Sequence, residues 1–242
     1  MRLKPLIMSI SFAYLIPTTA HALDFDFEFL PNPQQEDFRL VAEDIAAVLN
    51  SKSLSPAETN GTIGFAFGAF ASYVPTEDAN AWGRLIGESL DEVGMVGVSA
   101  EKGLPFGIEV GASFGWVPGA DARVLGLNLK YEILEGGIAT PAISLRGSYS
   151  SLSGIDQIDY DSQGIDLSIS KGIGPLTPYA GVGYVWSDFE IQDPVLVPLE
   201  DESVDEARFF VGARLSALFG ITPEFERVGD RNAFNLRIGF TF

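Results

Sequence analysis

From Thr62 to Phe242 apolar residues fall on every second position, in units of about ten residues that each close on a turn signal; this is the period of a strand with two unlike faces. One face of the first unit reads Ile63, Phe65, Phe67, Ala69, Ala71, Tyr73, and one face of the third reads Ile108, Val110, Ala112, Phe114, Trp116. The fourth gives Leu125, Leu127, Leu129, Tyr131, Ile133, and the last gives Phe234, Leu236, Ile238, Phe240, Phe242. The opposite faces are small or polar. Ten units begin near Thr62, Val93, Phe106, Ala122, Thr140, Ile158, Pro175, Asp205, Ile221 and Ala233, the ninth being short.

The connections alternate in length. Gly103-Leu104-Pro105, Glu135-Gly136-Gly137, Gly172-Ile173-Gly174 and Phe219-Gly220 read as tight turns, whereas Pro75 to Glu92 and Ile191 to Val204 are long. Short turns at one end, longer loops at the other and an even strand number predict an all-β fold, an antiparallel transmembrane up-and-down β-barrel. About ten strands are expected, with eight to twelve open if the ninth unit fails or an N-terminal stretch joins. The outward aromatics sort to match: Tyr73, Trp116, Tyr149 and Trp186 close strands running toward the long loops, and Tyr131, Phe240 and Phe242 lie near the opposite ends. Two aromatic girdles are what a lipid-facing surface with two interfaces requires. A soluble β-sandwich has no such need, and must fill a core that these small and polar faces cannot fill.

One amphipathic helix, over about 33–50, precedes the first strand. Asn32 reads as its cap, Pro33 as its first helical residue and Gln35 as the partner in a capping box. Phe38, Val41, Ile45, Val48 and Leu49 then form an apolar stripe at helical spacing. That stripe must be buried: the helix enters the lumen from the periplasmic end, covers that mouth, or lies on a partner. Inward Gly64, Ala66, Gly68, Gly107, Gly111, Gly115, Gly181 and Gly183 favour the lumen, since small residues let another backbone approach.

Residues 1–22 have the form of a secretory signal: Arg2 and Lys4, an apolar run from Leu6 to Ile16, and the small-x-small site Ala20-His21-Ala22. Cleavage after Ala22 leaves an N-terminal segment 23–61 and a barrel 62–242. Leu23, Phe25, Phe27 and Phe29 alternate with acids, as a short strand or a mobile acidic end. The mature chain keeps 13 of the 15 bases against all 33 acids, a net charge of −20, which argues against nucleic acid as a partner.

Cysteine is absent, and the one histidine, His21, lies in the signal. Disulfides, thiol chemistry, histidine general bases and histidine metal ligation are therefore excluded in the mature protein. No catalytic residue, cofactor or metal ligand is expected, and no enzyme activity. The chemistry that remains is charge in the lumen: acids Glu109, Glu132, Asp166, Glu224 and Glu226, and bases Lys130, Arg146, Arg208, Arg214 and Arg237. Five of each sign point to a structural network, because charge in a narrow lumen is costly unless paired. A selectivity lining for a small pore is the competing reading.

Two loops carry further signals. Trp82, Leu85, Ile86 and Leu90 suggest a short lid helix after a Thr76 cap, and the loop around Pro194 to Pro198 carries Asp193, Glu200, Asp201, Glu202, Asp205 and Glu206 without a base. A run of that kind reads as a solvated face.

The stretch Phe38 to Gly68, FRLVAEDIAAVLNSKSLSPAETNGTIGFAFG, resembles the lead-in to the first strand of a family of proteobacterial outer-membrane barrels of the small OmpA, OmpX and OmpW class. The tail Arg237-Ile238-Gly239-Phe240-Thr241-Phe242 resembles the C-terminal signature by which such barrels are recognised for insertion. The resemblance implies location in the outer membrane of a Gram-negative bacterium, with outer-membrane lipid, lipopolysaccharide and the barrel-assembly machinery as partners. It brings no activity with it. The expected role is a structural or interaction barrel with acidic outer loops and a largely closed lumen, or else a narrow channel or small-hydrophobe uptake barrel gated by the N-terminal helix.

Overall fold

A computed structural model describes residues 28–192 and 198–242. The signal segment, Leu23 to Phe27 and Asp193 lie outside the described residues. Ten antiparallel strands follow one another around a closed barrel: β1 (Phe65–Pro75), β2 (Glu92–Leu104), β3 (Ile108–Trp116), β4 (Arg123–Leu134), β5 (Ala142–Ser153), β6 (Ile158–Ser170), β7 (Leu176–Ile191), β8 (Glu202–Ser216), β9 (Gly220–Val228) and β10 (Arg231–Thr241). The seam sets Ala66 opposite Thr241 and Tyr73 opposite Phe234. Phe65 and Phe242 extend it by exchanging backbone hydrogen bonds of 2.9 and 2.8 Å. Closure leaves no unpaired edge, as backbone in hydrocarbon requires.

The two faces are inverted relative to a water-soluble protein. Outward Val98, Leu129, Val182 and Phe234 are 50%, 54%, 56% and 52% exposed, while inward Glu109, Asp166, Arg208 and Glu226 are 1–2% exposed. Large apolar side chains gain about 1.5–3 kcal/mol each on leaving water, so this exterior belongs in hydrocarbon and the barrel is a transmembrane one. Tyr73, Trp116, Tyr149 and Trp186 lie outward in the half nearer the long loops, and the register puts Tyr149, Gln163 and Trp186 level on β5, β6 and β7. At the other end Phe242 stacks on Phe65 (5.1 Å) and Phe67 (5.7 Å), and Phe240 lies beside Phe67. Tyr131 is outward and opposite Ile108.

Several boundaries differ from the sequence pattern. Ile63 does not join β1; it sits 90% exposed in a turn closed by Gly64 N–H donating to Gly61 O. β8 begins three residues before Asp205, because Glu202 still pairs with Phe189. Loop asymmetry rests on two connections: at the same end Gly229 and Asp230 alone join β9 to β10, with Gly229 at φ 54°.

Two α-helices complete the described residues, α1 (Gln35–Leu49) and α2 (Ala79–Ile86). Asn32 does not cap α1: its φ of 62° is left-handed, whereas a cap is extended, and that position falls to Gln34, which makes no side-chain cap. The Gln35 amide turns away from a capping box, donating to Glu202 at 2.9 Å and to the Glu200 carbonyl at 3.2 Å. Asn50 ends α1 by donating to the Ala46 and Ala47 carbonyls at 3.0 and 2.9 Å. For α2 the cap is Asp78, accepting from Asn80 N–H at 2.9 Å; the Thr76 hydroxyl instead donates to Leu90 O across the loop base.

Candidate functional site

Residues 29–61 run through the lumen, and they do so in the direction opposite to a periplasmic entry. Phe29 N–H donates to Gln157 between β5 and β6, Leu30 N–H donates to Leu85 O in α2, and Gln35 binds Glu200 and Glu202. All of these partners belong to the long-loop end. The segment enters there, descends as α1, continues as irregular chain over 50–60, and turns into β1 at the short-turn end.

The upper half of this interior is apolar. Phe38 is fully buried between Phe29 and Phe189, edge-on to both at 5.8 and 6.2 Å. Val41, Ile45, Val48 and Leu49 are buried in the same cluster as Trp82, Leu85, Val93 and Ile158. The α1 stripe is thus covered by the wall below and by α2 above. Asp44, on the same helix, accepts from Trp82 Nε1 at 2.9 Å and lies 2.6 Å from Arg231 Nε; that ion pair is close but poorly aligned as a hydrogen bond.

The lid is tied from outside by Arg84, which forks onto Asp37 at 2.6–3.0 Å and reaches Asp78 at 3.2 Å. The Asn80 N–H and then Arg84 hold the Asp78 carboxyl below its ordinary value. A depressed carboxylate stabilises fully above its unfolded pKa and loses that contribution as pH falls through the folded value. Protection factors of the α2 amides, corrected for the intrinsic pH dependence of exchange, should therefore be flat from pH 8 to about 4 and fall only in more acid buffer, with Asp78→Ala already less protected at pH 7.

The lower half is polar, and its logic is backbone satisfaction. Residues 50–60 have no neighbouring strand to pair with, so wall side chains take their hydrogen bonds. Arg146 donates to Ser51 O (3.1 Å) and Lys52 O (2.9 Å), and Arg208 donates to Ser51 O and to Asn50 Oδ1. Leu54 N–H donates to Glu224, Ala57 N–H to Ser170 Oγ, and Asn60 N–H to Glu109. Lys130 Nζ reaches Ser55 Oγ, Pro56 O and Glu58 O, and Glu132 accepts from the Thr59 hydroxyl at 2.9 Å.

Between these contacts the charges pair with one another. Asp166 accepts from both Arg146 and Arg208; Lys130 meets Glu109 at 2.7 Å; Glu226 takes Lys52 at 2.8 Å and Arg208 at 3.5 Å. Arg237 pairs with Glu101 at 2.7 Å, and Glu224 accepts from Tyr179 O–H and Asn235. The structure thus gathers eight of the ten sequence-selected residues around the plug; Arg237 turns instead to Ser99 and Glu101 of β2, and Arg214 stands apart. Lys52, Glu101, Tyr179 and Asn235 escaped the sequence reading. Glu101 was legible, since Gly97, Ser99 and Glu101 alternate with Val96, Val98 and Ala100; Lys52 was not, because the partner of an irregular segment has no period.

Most of the inward glycines serve the wall rather than the plug. A Cβ on Gly181 would strike the Phe210 ring at 2.2 Å, and one on Gly183 the Asp166 carboxylate at 2.1 Å. At Gly64 and at Gly103, which was not among those expected, the returning segment comes close, with carbonyls of Asn60 and Gly61 at 1.8 and 1.9 Å, and at Gly136 the Glu58 carboxylate would meet a Cβ at 2.3 Å. A space of about 30 Å³ remains between Leu49–Ser55 and the wall of β1–β5, room for one or two waters. In the acidic loop Asp201 accepts from Ile191 N–H, and Glu202 from Gln35 with Arg39 3.7 Å away, so these two carboxylates are occupied by the chain itself.

No protein-family model matches the chain, and no curated protein matches it. Among solved structures, the N-terminal β-barrel domain of Pseudomonas aeruginosa OprF is 13% identical, covering 75% of this chain and 99% of that one at a TM-score of 0.33. The KdgM porin is 7% identical over 73% of this chain and 99% of its own, at 0.36. Ail of Yersinia pestis is 13% identical over 75% and 100%, at 0.28. Likenesses this low carry no function from those proteins to this one.

Proposed function

We propose that this chain is a non-enzymatic barrel of the Gram-negative outer membrane, closed by its own N-terminal segment and presenting an acidic cap to the outside. The observation that carries this reading is the path of residues 29–61 through the lumen, with apolar packing in one half and side-chain-satisfied backbone in the other. Long loops face outward in barrels of this kind, so the cap of residues 28–34, α2 and 198–201 is the cell-surface face. The absence of cysteine and, after cleavage at Ala22, of histidine supports a role without catalysis. The final strand, ending in Phe242, is the expected handle for the barrel-assembly machinery, and outer-membrane lipid and lipopolysaccharide surround the wall.

Planar-bilayer recording of the refolded mature chain beside a variant lacking residues 23–51 tests the reading. Silence from the full chain and current from the variant is the expected result. Discrete conductance from the full chain would instead support the narrow channel gated by the same segment. Heat-resistant gel mobility of both proteins checks that each is folded.

A further inference from the structure

We propose that the short-turn mouth of the lumen holds a binding site for one small oxyanion of the phosphate class, built on Arg214 with Thr177, Thr222 and Arg237. These four residues lie in one row across consecutive strands. Thr177 faces Arg214 on β7 and β8, and Thr222 faces Arg237 on β9 and β10. The β8–β9 register, with Gly212 opposite Glu224 and Leu215 opposite Ile221, sets Arg214 level with Thr222. Strands lie about 4.8 Å apart, so the arginine backbones are about 10 Å from each other, with Thr222 on the strand between them.

Charge bookkeeping singles out this row. Lys52, Lys130, Arg146, Arg208, Arg231 and Arg237 each have a carboxylate within 4 Å. Arg214 has neither an ion pair nor a hydrogen-bond partner among the described residues, although it is more than half buried. An arginine withdrawn from water without a counter-ion is costly, and a bound anion removes that cost. Arg237 commits Nε to Ser99 and Nη2 to Glu101 and keeps Nη1 uncommitted.

The donor set selects the ligand. Guanidinium forks bind two oxygens of a tetrahedral anion at once, and threonine hydroxyls can serve the remaining oxygens. The nearby acids are already answered: Glu101 by Arg237, and Glu224, one layer deeper, by Tyr179, Asn235 and the Leu54 N–H. The row faces the lumen rather than the lipid, which favours a free solute over a lipid headgroup. This inference goes beyond the proposed function, which supplies only the compartment, the periplasm.

The test is a titration of the refolded full chain in zwitterionic detergent with inorganic phosphate, at ionic strength held constant with chloride, read as phosphorus NMR line broadening. A saturable response is expected, weakened at least tenfold in Arg214→Gln and less in Arg214→Lys and Thr222→Val, with Arg227→Gln on the outer surface unchanged. Equal response in Arg214→Gln and the parent, or no saturation in the parent, overturns the proposal. So does an Arg214-dependent response to phosphatidylglycerol micelles with none to inorganic phosphate, which would assign the site to a lipid headgroup.

Discussion

Asp166→Asn is expected to lower barrel stability by about 3–5 kcal/mol, the cost of leaving buried cations without their carboxylate. Asp166 is 1% exposed and is the shared acceptor of Arg146 and Arg208, which in turn hold Ser51 and Lys52 of the plug. The substitution leaves Arg146 without a carboxylate and Arg208 with Glu226 alone, at 3.5 Å, and loosens the segment they grip. Urea unfolding in micelles, followed by loss of heat-resistant gel mobility, measures it. Glu109→Gln sets the scale: Lys130 keeps Ser55, Pro56 and Glu58 as acceptors, so the loss there should be about 1–3 kcal/mol. The double variant Asp166→Asn with Arg208→Gln should regain part of the loss. Equal effects of Asp166→Asn and Glu109→Gln would refute the central role of Asp166.

Phe38→Ala should undock the outer half of α1 without opening the barrel. Phe38 is fully buried against Phe29 and Phe189, and truncating a buried phenylalanine costs about 3–5 kcal/mol. The wall's ladders do not depend on Phe38, so the cost falls on docking. Arg39, whose side chain is already 68% exposed, then becomes a trypsin site. Intact cells expressing Phe38→Ala should release the fragment N-terminal to Arg39 at least tenfold faster than the parent. Cleavage by protease confined to the periplasmic side, with none from outside, would reverse the direction of threading proposed for the N-terminal segment.

Strand number and sidedness were legible because the period of two is local and repeats along the chain. Val110, Leu129, Ile238 and their like mark the outward face wherever each strand begins, and errors at Ile63 or Asp205 shift an end without flipping a face. The α1 stripe at Phe38, Val41, Ile45, Val48 and Leu49 was equally plain, since helical spacing is local too. Caps were read less well: Asn32 and Thr76 have the right chemistry, but backbone angle and loop closure gave those positions to Gln34 and Asp78.

What the sequence by itself determined was therefore a closed barrel of alternating faces, an apolar helix in need of cover, and an interior with charges of both signs. Tertiary structure alone decided which mouth that helix enters, because its stripe is satisfied by any apolar surface and only Gln157, Leu85 and Glu202 place it at the long-loop end. It also decided the pairings, since Asp166 with Arg208 or Lys52 with Glu226 are meetings of residues 42 and 174 positions apart. No local period encodes such distances; barrel closure fixes them by bringing one face of every strand to a single axis.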